Sequence, residues 1–107
     1  MADYLLLFSG GTMPESQEEQ AAVMKAWTSW FETLGGAVKD PGNPFSPGVA
    51  RSIAADGSVT EGGIAATASG YTILQADSLD AAVDMAKGCP VLQGGAQISV
   101  YETFAVM

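Results

Sequence analysis

Strand-like and helix-like stretches follow one another in the order β-α-(β)-β-β-α-β. That order predicts an α+β domain on the ferredoxin-like plan, an antiparallel sheet with two helices on one face. Three observations carry the expectation. Tyr4–Phe8 and Tyr71–Ala76 are short runs apolar on both alternating faces, as central strands covered on both sides are. Each run precedes a helix-start signal and then apolar residues at helical spacing. Glycine and proline pairs punctuate the remaining junctions.

In order, Tyr4–Phe8 places Leu5 and Leu7 on one face and Tyr4, Leu6 and Phe8 on the other. Ser9-Gly10-Gly11 breaks the strand; the loop has no phosphate-binding signature, and a plain connection is expected. Ser16-Gln17-Glu18-Glu19 is a capping box. The helix it opens is expected to run to Leu34, burying Val23, Ala26, Trp27, Trp30, Phe31 and Leu34. Gly36–Lys39 is a possible short strand. Asp40–Gly48 holds three prolines and two glycines and reads as a stiff loop. Val49–Ala54 reads as a strand towards the sheet edge, and Asp56-Gly57 as a hairpin-type turn. Glu61–Gly70 has weak propensity for anything and reads as a mobile loop. Asp77 or Ser78 caps the second helix, with Leu79, Ala82, Val83 and Ala86 as its apolar stripe. Gly88 is expected to end it in a left-handed conformation, with Pro90 blocking continuation. Gly94-Gly95 turns the chain into the last strand, Gln97–Tyr101.

A chain of 107 residues forms one domain, residues 1–107. Twelve acids against four bases give a net charge of −8, which argues against nucleic acid and anionic membranes as partners. The run Leu5–Phe8 is too short for a membrane span. One cysteine permits no internal disulfide, so a cytoplasmic location is expected. Two helices shelter one sheet face; the other still carries apolar groups. A two-fold homodimer packed sheet on sheet is therefore expected.

The pattern G-Y-x-I-x-x-A-D-S-L-D-x-A-x-x-x-A-x-x-C-P at Gly70–Pro90, the Gly94-Gly95 turn and I-x-V-Y-E at Ile98–Glu102 resemble the second half of the YCII-related (DGPF) domain family. Asp56-Gly57 stands where the family's D-G-P-F loop begins, with Ser58 and Val59 in place of Pro and Phe. The resemblance implies a dimeric α/β barrel. It also implies acid/base chemistry through a first-helix histidine and an aspartate before a proline. Here those positions fall at or near Trp27 and at Cys89, so the implied proton carriers are missing.

The chain has no histidine, which excludes Ser-His, Cys-His and His-metal sites within it. No metal or other cofactor is expected. Cys89, just after a helix C-terminus, reads as a buried small hydrophobe rather than a nucleophile. The polar and aromatic groups that this plan can bring together are Trp27, Asp40, Asn43, Phe45, Arg51, Tyr71 and Tyr101. Asp40 against Trp27 is a candidate general base, and Arg51 a candidate carboxylate ligand. The leading reading is a dimer that binds a small organic acid or ring compound in a helix–sheet cavity. A lyase or isomerase using Asp40 is the alternative. A third reading is a non-catalytic interaction module whose tail, Phe104–Met107, docks onto a partner subunit. The sequence leaves open whether any reaction is catalysed.

Overall fold

The computed structural model describes residues 1–11, 15–65 and 67–106. Its elements are β1 (Ala2–Ser9), α1 (Gln17–Leu34), β2 (Val38–Asp40), β3 (Arg51–Ile53), β4 (Val59–Glu61), β5 (Ala68–Ala76), α2 (Leu79–Ala86) and β6 (Gln97–Glu102). Short 3₁₀ turns fill Gly35–Ala37 and Pro90–Gly94. Four strands form an antiparallel sheet in the order β2-β5-β1-β6. With β3 and β4 set aside, the elements run β-α-β-β-α-β, the ferredoxin-like order.

The two central strands are the two runs that are apolar on both faces. Leu5 lies opposite Ile73 on one side and Tyr101 on the other. Tyr4, Leu6 and Phe8 of β1 and Thr72, Leu74 and Ala76 of β5 are buried together. All but the polar Thr72 form the hydrophobic core with Trp30, Ala82, Ala86 and Cys89 from the helix layer. Leu5, Leu7, Tyr71 and Ile73 project from the opposite face and are only half-buried. The Cα trace is 18 Å in its shortest dimension, the depth of one sheet and one helix layer.

Local chemistry explains the helix ends. Ser16 Oγ accepts from the Glu19 amide, and Ser78, rather than Asp77, accepts from the Ala81 amide. Gly35 adopts φ +54° and donates its N–H to the Phe31 carbonyl, closing α1. Gly88, however, is not left-handed. Its N–H bonds to Met85 O, and the Cys89 N–H to Ala86 O. A Cβ there would lie 3.4 Å from the Trp30 ring, an ordinary van der Waals contact, so neither φ nor space requires glycine at this position. The left-handed residue is Gly95, at φ +84°.

Three expectations need correction. Val49–Ala54 does not join the sheet. Its central residues form β3, which among the described residues pairs only with β4 in a separate hairpin. The β5 edge is taken instead by β2 and the proline loop. The Phe45 N–H bonds to Ser69 O, the Tyr71 N–H bonds to Asn43 O, and Pro44 bridges to Gly70. Second, Glu61–Gly70 is not one loop: Glu61 closes β4 and Ala68–Gly70 open β5, while Ala66 lies outside the described residues. Third, Val23 and Leu79 are 38% and 47% exposed. An 18-residue helix is about 27 Å long, and residues 17–25 of α1 are exposed, beyond the cover of the core.

Candidate functional site

The sheet divides the seven singled-out residues into two groups and leaves one outside both. Trp27 is on the helix side. Its ring centroid lies 5.7 Å from Phe8, 5.6 Å from Trp30 and 5.7 Å from Phe31. Trp30 is fixed beside it by an Nε1–H bond to the Met85 carbonyl at 3.0 Å. The pairing of Asp40 with Trp27 is therefore not what the fold produces.

Asp40, Tyr71 and Phe45 meet on the opposite face. Asp40 ends β2 and lies opposite Ile73, beside the alternating position that β5 gives Tyr71. Its Oδ1 accepts the Gly42 amide at 2.9 Å. Its Oδ2 accepts the Tyr71 phenol at 3.4 Å, long for such a bond, so both groups keep capacity for a further partner. The Phe45 ring stacks on Tyr71 with centroids 6.0 Å apart and planes 25° apart. Phe45 is itself 42% exposed.

The loop that carries Phe45 is locked to β5 by its backbone. Gly42 has φ +70°, and a Cβ on it would fall 1.8 Å from the Tyr71 carbonyl oxygen. Buried Thr72 donates from Oγ1 to the Pro41 carbonyl at 2.9 Å. Asn43 contributes its backbone carbonyl to the Tyr71 amide. Tyr101 lies on the same face, 53% exposed, across β1 from the Asp40 cluster. Arg51 is elsewhere, on the hairpin, where its Nε pairs with Glu61 at 3.4 Å, both side chains being largely exposed.

The helix side has a feature that none of the singled-out residues lines. A groove of about 230 Å³ runs between α2 and β6, walled by Val83, Ala86, Lys87, Leu92, Ile98 and Val100. Sequence spacing marks Val83, Ala86, Ile98 and Val100 as apolar faces; it does not show that the helix leaves a gap over the edge strand. A second cleft, about 370 Å³, opens at the hairpin base between Val49, Arg51 and Glu61.

Cys89 is buried, and burial pushes its thiol up to about 11, which suits a packing role. Tyr4 is buried beneath the helices and donates its phenol to Glu102 Oε1 at 2.6 Å. That bond, with burial and the nearby carboxylates, pushes its pKa up to about 12. Among the described residues, no group of three or more acids or thiols is placed to hold a metal ion. No helix among them is long and apolar enough to cross a membrane.

No protein-family model matches the chain, and no curated protein matches it in sequence. A solved structure does resemble it: 5-chloro-2-hydroxyhydroquinone dehydrochlorinase from Burkholderia phenoliruptrix AC1100, in complex with 2,5-dihydroxybenzoquinone. The match has a TM-score of 0.52 at 17% identity, covering 94% of this chain and 93% of that one. At that identity the likeness is one of fold.

Proposed function

We propose that the chain is a divergent YCII-like domain that binds a small organic ring compound at Asp40, Tyr71 and Phe45. The observation that carries this reading is their convergence on a sheet face with no cover of its own. A carboxylate acceptor, a phenol donor and an exposed ring face are the groups needed to orient a hydroxylated ring. The site thus moves from the expected helix–sheet cavity to the open face, away from Trp27. The neighbour of like fold was captured with a small oxygenated ring, 2,5-dihydroxybenzoquinone, which supports that ligand class.

A homodimer packed through the open face is part of the proposal. Leu5, Leu7, Tyr71 and Ile73 form a continuous apolar patch, and hiding it is worth roughly 25 cal/mol per Å². The partner's sheet would also close the site from water. A cytoplasmic setting belongs to the same reading, as do the absence of nucleic acid and membrane among its partners.

Thermal-shift screening against hydroxylated and keto-acid ring compounds tests the ligand. A compound that raises the melting temperature of the parent chain, but not of Asp40→Asn or Tyr71→Phe, supports the site. Stabilisation that survives both substitutions removes it. Asp40 acting as general base, in a lyase or isomerase, is the second reading, favoured by the carboxylate–phenol contact. For a compound found to turn over, unchanged turnover in Asp40→Asn eliminates that reading.

A further inference from the structure

β6 is an edge strand, paired with β1 on one side and, among the described residues, with no strand on the other. Natural edge strands are blunted by lysine, proline or a bulge. This one is not. Gln97–Val106 reads Q-I-S-V-Y-E-T-F-A-V, without lysine, proline or glycine. The register of β6 with β1 runs unbroken from Gln97 to Glu102. Thr103 prolongs the line, its N–H and Oγ1 both donating to the Asp3 carbonyl at 2.9 Å.

Beyond Thr103 the chain carries Phe104, 84% exposed, and Val106, 74% exposed. Met107 lies outside the described residues. Phe104 shares the parity of Ile98 and Val100, so an extended continuation aims it at the helix-layer side. The α2–β6 groove, floored by Ile98 and Val100, is on that side. Phe104 lies four residues beyond Val100 and runs on away from the groove of its own chain. It leaves the sheet in the opposite direction, and Thr103–Val106 contains no turn-forming residue.

We propose that Gln97–Ala105 pairs antiparallel with the same segment of a second copy, about a two-fold axis at Tyr101, and that Phe104 of each copy enters the α2–β6 groove of the other. This register sets Tyr101 against Tyr101, Ser99 against Thr103 and Ile98 against Phe104. These are aromatic, hydroxyl and aromatic–β-branched pairs, all of the stabilising kind. Moving the axis to Glu102 would set two carboxylates face to face, which disfavours it. Two Phe104 rings at about 150–250 Å² each, with the groove walls they cover, account for roughly 600–1,000 Å². Val106 and the paired backbones carry the total past the ~1,000 Å² that a specific contact needs. The contact uses an edge, is separate from the sheet-face dimer and does not depend on it.

The test is a symmetric cross-link in the full chain, with buried Cys89 left in place. Directly opposed Cα atoms in an antiparallel pair are about 4.5–5.5 Å apart, within disulfide reach. Tyr101→Cys under mild oxidation is expected to give a covalent dimer. Gln97→Cys, on the same face but remote from the axis, is expected to give none. Adding Phe104→Glu to Tyr101→Cys is expected to slow cross-linking about tenfold or more, as loss of a buried ring contact implies. Adding Ile73→Glu, which strikes only the sheet face, is expected to leave it unchanged. No covalent dimer from Tyr101→Cys, equal cross-linking of Gln97→Cys, or insensitivity to Phe104→Glu would each overturn the proposal. Loss of the cross-link in the Ile73→Glu background would overturn it too, by assigning the proximity to the sheet-face contact.

Discussion

Single residues hold the candidate site in shape, and two glycines show how differently they do it. Gly42 combines φ +70° with a Cβ position 1.8 Å from the Tyr71 carbonyl. Gly42→Ala is therefore expected to cost at least about 2 kcal/mol, through strain and displacement of the loop from β5. Calorimetry should show a fall in melting temperature of roughly 10 °C. Gly88 has ordinary φ and only van der Waals contact to Trp30, so Gly88→Ala should stay within about 0.5 kcal/mol of the parent. Tyr4 gives a pH prediction. Its folded pKa, raised by the Glu102 bond, lies above the unfolded value near 10. The stability it contributes is complete below about pH 10 and is lost as pH rises through about 12. Ultraviolet titration should show the Tyr4 ionisation moving to lower pH in Glu102→Gln. An unmoved titration would show that the bond is not the cause.

At the scale of elements, the β3–β4 hairpin stands apart from the rest. Each strand has three residues, and neither pairs with the sheet. The turn is well made: Asp56 Oδ1 accepts the Ser58 amide and hydroxyl, and Gly57 supplies φ +92°. Yet Ile53 and Val59, directly paired across the hairpin, are 71% and 57% exposed. A two-stranded hairpin with no buried face is marginal in water. Amide exchange in β3 and β4 is expected to be orders of magnitude faster than in β1 and β5, approaching the rate of open chain. Protection equal to that of the central strands would show that something covers the hairpin. The Asp56-Gly57 turn is legible in the sequence because it is local chemistry. The strand's exclusion from the sheet is not, because it depends on the proline loop having already taken the β5 edge.

For the whole molecule, the decisive fact is one layer of helices on a sheet with two apolar sides. Ile73→Glu places a charge at the centre of the bare face, opposite Leu5. If that face is a dimer contact, Ile73→Glu alone should remove only the sheet-face association in sedimentation at micromolar concentration, and Ile73→Glu combined with Phe104→Glu should sediment as monomer. The melting temperature measured on the monomer should change little, since Ile73 is outside the core cluster. A parent chain that sediments as a clean monomer would remove the sheet-face dimer altogether. The same geometry explains the partition of the candidate site. Trp27 and Asp40 look like neighbours in a list of polar and aromatic residues, but a hydrogen-bonded sheet lies between them.

Short-range features of this chain are legible in its residues alone. The central strands show in Tyr4–Phe8 and Tyr71–Ala76, because side-chain alternation is a property of the strand alone. The caps show in Ser16 and in the Asp77–Ser78 pair, because a short polar side chain reaches amides only two or three residues away; the structure selects Ser78. Tertiary structure decided which apolar face of β1 went beneath the helices, which segment took the β5 edge, and that Phe45 stacks on Tyr71. Those outcomes are competitions between segments far apart in the chain for one edge or one face, and no local pattern records who wins them.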